Sequence, residues 1–124
     1  MNKNTVAKIL LGLVVFALVG SSILKFVGAE EMGAGLGNPQ APYILGVIEL
    51  LIALAVLLPK TRMLGFILAA SYFGGAIAVA WLVEKEFPTA GIIVNTIVYA
   101  AAYFTRPSLA HGEPTVMVEP DPIR

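Results

Sequence analysis

The sequence predicts an all-α membrane protein, a bundle of four helical spans followed by a polar tail. Three observations carry that expectation. The apolar residues come in long runs instead of the narrow stripes of a soluble bundle; the mean hydropathy is +0.86; and charged residues make up 13 % of the 124-residue chain, where a soluble domain carries about a quarter. This composition belongs to a chain whose solvent is hydrocarbon.

The first span is expected over about 6–27, after the polar start Met1-Asn-Lys-Asn-Thr5. Its layout resembles a signal peptide, with small residues at Val27-Gly-Ala29. The length of the apolar run and Lys25 just before that site argue against cleavage. Residues 28–41 read as a loop, with Glu30, Glu31, four glycines and an Asn38-Pro39 turn signal. The second span follows over about 42–58, with Pro42 in the first turn, where its missing N–H costs nothing. Pro59-Lys-Thr-Arg62 is a short basic turn leading to a third span over about 63–83.

Small residues recur in that third span at helical spacing. Ala70, Gly74 and Ala78 form one stripe with Ser71 and Gly75 beside it, a pattern that lets membrane helices approach closely. Trp81 suits an interfacial anchor. After the polar turn Glu84-Lys-Glu-Phe87 comes a fourth span over about 88–104, stopped by Thr105-Arg-Pro107. Residues 1–107 thus form the transmembrane domain, and 108–124, rich in proline and charge, read as a disordered tail.

Lys and Arg placement sets the orientation. With four spans, Lys3, Lys8, Lys60, Arg62, Arg106 and Arg124 share one side, against Lys85 and Lys25 on the other. Both termini are therefore expected in the cytoplasm. The opposite loops carry Glu30, Glu31, Glu84 and Glu86.

At about 1.5 Å per residue, Glu49 of the second span and Asn95 of the fourth each lie roughly 10 Å below the outer edge. Ser21, Ser22 and Lys25 approach the same level from the end of the first span. An ionisable group at that depth must face protein or a cavity. The expectation is a polar layer in which Lys25 pairs with Glu49 and Asn95 bonds nearby, with Gly46 and Ala53 on the face of Glu49. A structural ion pair, a snorkelling lysine and an amide that glues helices are the plain readings of the same residues. A partial echo between Pro42…Gly46…Glu49…Thr61-Arg62 and Pro88…Gly91…Asn95…Thr105-Arg106 suggests two related hairpins.

The absence of cysteine excludes disulfides and thiol redox chemistry, and the single His111, in the tail, excludes bis-histidine haem. A zero net charge with scattered basic residues gives no nucleic-acid footprint. No converging set of acid, base and nucleophile appears, so an enzyme acting alone is not expected.

Leu36-Gly-Asn-Pro39, Gly46-Val-Ile-Glu-Leu50, Leu58-Pro-Lys-Thr-Arg-Met-Leu-Gly65 and Ser71-Tyr-Phe-Gly-Gly-Ala-Ile-Ala78, in this order, resemble the DoxX-like family of small four-span bacterial membrane proteins. The resemblance covers about residues 6–108. It implies a four-helix bundle in a bacterial-type inner membrane and, through the relative that gave the family its name, a link to thiosulfate–quinone oxidoreduction. It marks Lys25, Glu49, Gly74 and Gly75. Relatives often carry a His a few residues after Gly-Gly-Ala, where this chain reads Ile77-Ala-Val-Ala-Trp81. Three functions follow as expectations: an accessory or scaffold subunit, partnering a membrane redox enzyme or itself; a protein binding quinone or a small lipid at the polar layer; and a small proton-coupled exporter using Glu49.

Overall fold

A computed structural model describes residues 2–110. Five helices make up the fold: α1 (Lys3–Val27), α2 (Ala29–Leu36), α3 (Ala41–Leu57), α4 (Arg62–Leu82) and α5 (Thr89–Thr105), with short 3-10 turns at Pro59–Thr61 and Pro107–Ala110. The predicted tail begins inside that last turn, and His111 with residues 112–124 lies outside the described residues.

The four expected spans correspond to α1, α3, α4 and α5, with ends shifted by at most three residues. Helix α1 starts early because the Asn2 side chain caps it, accepting from the Thr5 N–H at 2.8 Å.

The expected 28–41 loop is corrected. Most of it is helix α2, which reads as loop because it holds two glycines in eight residues. Glu30 and Glu31 sit in its first turn, where the helix dipole favours acid. It ends at Gly37, whose φ of +72° closes a Schellman motif. There the Asn38 N–H donates to Gly33 O at 2.9 Å and the Gly37 N–H to Ala34 O at 3.2 Å. Gly33 is required by close approach: a Cβ there would lie 2.9 Å from Pro39 Cα. The chain then bends by 110° into α3.

The long helices close a ring. Helix α1 packs on α3 and α5, and α4 packs on the same two, so α1 faces α4 across one diagonal and α3 faces α5 across the other. Val14 and Leu18 of α1, Val56 of α3, Phe66 and Ala69 of α4 and Val98 of α5 fill the centre. The outward faces are apolar as well: Phe16 is 76 % exposed and Leu82 70 %. A bundle apolar inside and outside suits hydrocarbon.

By length and composition, α1 and the helix running on from Pro59 to Leu82 can cross a membrane, and α2 with α3 makes a third candidate if the bent pair counts as one span. Helix α5, at 17 residues, is shorter.

Candidate functional site: a closed polar layer

Helix geometry aims Lys25 and Glu49 at each other. In any α-helix the Cα–Cβ bond tilts toward the N-terminus. Lys25, near the C-terminal end of α1, therefore leans back into the bundle. Glu49, in the first half of α3, leans back toward that helix's start. The two helices run antiparallel, with Ser22 against Gly46 and Phe26 against Tyr43, so the two side chains converge.

Lys25 Nζ lies 3.1 Å from Glu49 Oε1 and donates to Ser21 Oγ at 2.7 Å. Glu49 is fully buried, while the Lys25 side chain retains 14 % exposure. Lys25 is thus turned inward onto the carboxylate, not outward as a snorkelling anchor. The contact is a close ion pair without the angles of a directed hydrogen bond, since neither Glu49 oxygen has a hydrogen-bond partner.

Ser22 has a different task from Ser21. Its hydroxyl, buried, donates to Gly46 O at 3.0 Å and ties α1 to α3. Gly46 also admits the Phe26 ring, whose Cζ would lie 2.9 Å from a Cβ there. Ala53, on the face of Glu49, is buried in the core.

Tyr72 of α4 completes the cluster, and the sequence analysis did not single it out. Its ring centroid lies 5.7 Å from Lys25 Nζ, across the α1–α4 diagonal, and its side chain faces Glu49. A tyrosine in an apolar run has an ordinary packing reading, so only the diagonal contact reveals it.

Asn95 of α5 is buried at 8 % exposure, and its Oδ1 has no hydrogen-bond partner. The expected bond from Asn95 to the ion pair is absent among the described residues.

The small residues of α4 divide. Ala70 packs against the core. Gly74, Gly75 and Ala78 are exposed, and nothing lies within 4 Å of a Cβ built at either glycine. The glycine that does bring helices together is Gly65: a Cβ there would sit 2.6 Å from Val56 N. Beside it, Thr61 Oγ1 donates to Ala55 O at 2.8 Å, and Arg62 donates to Val56 O and Leu57 O, each at 2.8 Å. The Pro59–Arg62 turn is therefore the C-terminal cap of α3, satisfying carbonyls that a helix end leaves open. Trp81 is exposed and meets Phe87 edge-on at 6.0 Å.

A groove of about 380 Å³ runs between α4 and α5, lined by Met63, Phe66, Ile67, Ala70, Ser71, Val98, Tyr99 and Ala102. None of the polar-layer residues lines it. In chemical terms the layer can hold a charge pair and accept hydrogen bonds. Glu49 is fully buried with Lys25 Nζ 3.1 Å away, and the Tyr72 ring, across the α1–α4 diagonal, lies 5.7 Å from Nζ. Set against known proteins, the chain matches no family model, no curated protein and no solved structure.

Proposed function

We propose that the chain is a four-span, DoxX-like protein of a bacterial-type inner membrane, with both termini cytoplasmic, that acts as an accessory or scaffold subunit beside a membrane redox enzyme. It is not an enzyme by itself. The observation that carries this reading is the closure of the polar layer: the one acid within the spans is fully buried against Lys25. An acid spent in this way holds three helices together and leaves the outer surfaces for partners. The sequence pieces behind the family resemblance have matching structural tasks. Gly46 and Glu49 join α3 to α1, and Thr61, Arg62 and Gly65 build the α3–α4 hairpin.

The test is purification of the full chain from its native membrane in mild detergent. A companion subunit carrying a redox cofactor, in fixed ratio, is expected. A chain that runs alone, as a monomer or homo-oligomer, with membrane redox activities unchanged on its deletion, overturns the reading.

A second reading, a protein binding quinone or a small lipid, draws support from the buried acceptor atoms of the layer only for a ligand that carries a hydroxyl, a quinol or a lipid alcohol, since a quinone carbonyl cannot donate to them. The exporter reading ranks behind both, because an exported cation must reach the carboxylate, and Glu49 is fully buried.

A further inference from the structure

Lys3, Lys8, Lys60 and Arg106 are exposed and gather at one end of the ring, where α1 begins, α3 turns into α4 and α5 ends. No acid stands opposite them among the described residues. Glu49 lies within α3 and pairs with Lys25, and Glu30, Glu31, Glu84 and Glu86 lie at the other end. Cations without a counter-ion at a membrane surface attract anionic headgroups, by about fivefold for each Lys or Arg.

The groove between α4 and α5 ends at this charged rim. The two helices are joined by a short turn and run antiparallel, so the start of α4 lies beside the end of α5. Met63, in the first turn of α4, and Ala102, in the last turn of α5, line the groove at that end. Lys60 precedes Met63 by three residues and Arg106 follows Ala102 by four. At the helical rise each stands roughly 5–6 Å further toward the polar end. Along the groove the walls are apolar, with Phe66 and Ile67 near the middle, and only Ser71 and Tyr99 bring hydroxyls. Ile67 is 61 % exposed and Tyr99 60 %, so the groove opens outward, away from the core of the ring.

We propose that this groove and its rim bind an anionic phospholipid, with one acyl chain along Phe66 and Ile67 and the phosphate between Lys60 and Arg106. An apolar cleft of about 380 Å³ takes a hydrocarbon chain, and the charge at its mouth selects the head. A zwitterionic lipid brings an ammonium group against the same two cations. A second copy in the same orientation brings its own Lys3, Lys8, Lys60 and Arg106 to the same end, like charge against like. The inference rests on the proposed four-span arrangement and not on the accessory role.

The experiment uses the full chain in nanodiscs holding equal amounts of phosphatidylglycerol and phosphatidylcholine with the same acyl chains. Lipids retained on release are counted by native mass spectrometry. Phosphatidylglycerol is expected in excess on the wild type, and Lys60→Ala with Arg106→Ala should cut that excess by roughly thirtyfold, about fivefold for each charge. Lys3→Ala with Lys8→Ala removes the same charge from α1, which does not line the groove, and should leave most of the excess in place. Ser71→Phe, at an exposed position, fills the groove and should lower retention with the rim intact. Equal retention of the two lipids by the wild type overturns the proposal, as does equal loss from the two double variants, which makes the effect one of surface charge alone. Undiminished excess after Lys60→Ala with Arg106→Ala also overturns it, the result expected if Glu113, Glu119 and Asp121, beyond the described residues, neutralise the rim. A dimer that Ser71→Phe dissociates, with no lipid preference, gives the groove to a second copy and overturns it too. Thiol labelling of the turns reads the four-span arrangement separately, so a missing lipid preference with all four helices crossing counts against the site and not against the arrangement.

Discussion

Lys25 sits two residues from the end of α1, where a lysine in a membrane helix ordinarily extends its charge to the headgroups. It turns inward because Ser21, four residues back, accepts one of its protons and because Glu49 offers a full charge. A buried pair of this kind is costly to break and far less costly to remove whole. Lys25→Met or Glu49→Leu alone should each destabilise the protein by about 3–5 kcal/mol, because each leaves one buried charge uncompensated. The double substitution should recover most of that loss. Denaturant unfolding in detergent reads all three, and two additive single losses would show that the pair contributes no coupling. Depth arithmetic on the sequence brings Lys25, Glu49 and Asn95 to one level. It cannot rank them, because which atoms find partners depends on how far apart the diagonals of the ring hold their helices. The role of Tyr72 and the orphaned Oδ1 of Asn95 belong to that hidden part.

At the scale of the element, glycine separates two meanings that the sequence writes alike. Gly65 lies where α4 crosses α3, and an added Cβ would meet backbone at 2.6 Å. Gly74 and Gly75 lie on an outward face with open space around them. Gly65→Ala should therefore cost about 1–3 kcal/mol through overpacking. Gly74→Ala should raise stability by up to about 1 kcal/mol, since helix propensity improves and nothing in this chain is displaced. A thermal midpoint that falls for Gly74→Ala would place a further helix against that face. The cap of α3 is likewise a property of side chains reaching back over a turn. Thr61→Val removes the 2.8 Å bond to Ala55 O and should cost about 1 kcal/mol, read by the same unfolding assay. The basic turn was legible in the sequence; its use as a helix cap was not, because its basic side chain also reads as an orientation signal. Helix α2 was missed for the opposite reason. Its glycines are turn residues by local rules, and its stability comes from Gly33 seating on the Asn38–Pro39 backbone, a contact no local rule contains.

For the whole molecule, the number of crossings decides how every surface is read. Helices α3 and α5 have 17 residues each, about 26 Å at the helical rise, slightly less than the roughly 30 Å hydrocarbon core. A shortfall of that size is met by local thinning of the bilayer at modest cost. Because α3 and α5 each pack between α1 and α4, the proposed four-span arrangement has the two shorter helices crossing alongside the two long ones. The exposed charges lean the same way, with Lys3, Lys8, Lys60 and Arg106 at one end and Glu30, Glu31, Glu84 and Glu86, beside the single Lys85, at the other. The chain contains no cysteine, so single introduced thiols report cleanly. In intact cells, Glu30→Cys and Glu84→Cys should react with a membrane-impermeant maleimide, and Lys60→Cys only after permeabilisation. Labelling of Glu30→Cys and Lys60→Cys from the same side would mean that α3 does not cross, and equal labelling of Lys60→Cys and Glu84→Cys would mean the same of α4. The first result would move Glu49, which lies in α3, out of the membrane interior, where its full burial against Lys25 would no longer be forced by the surrounding lipid.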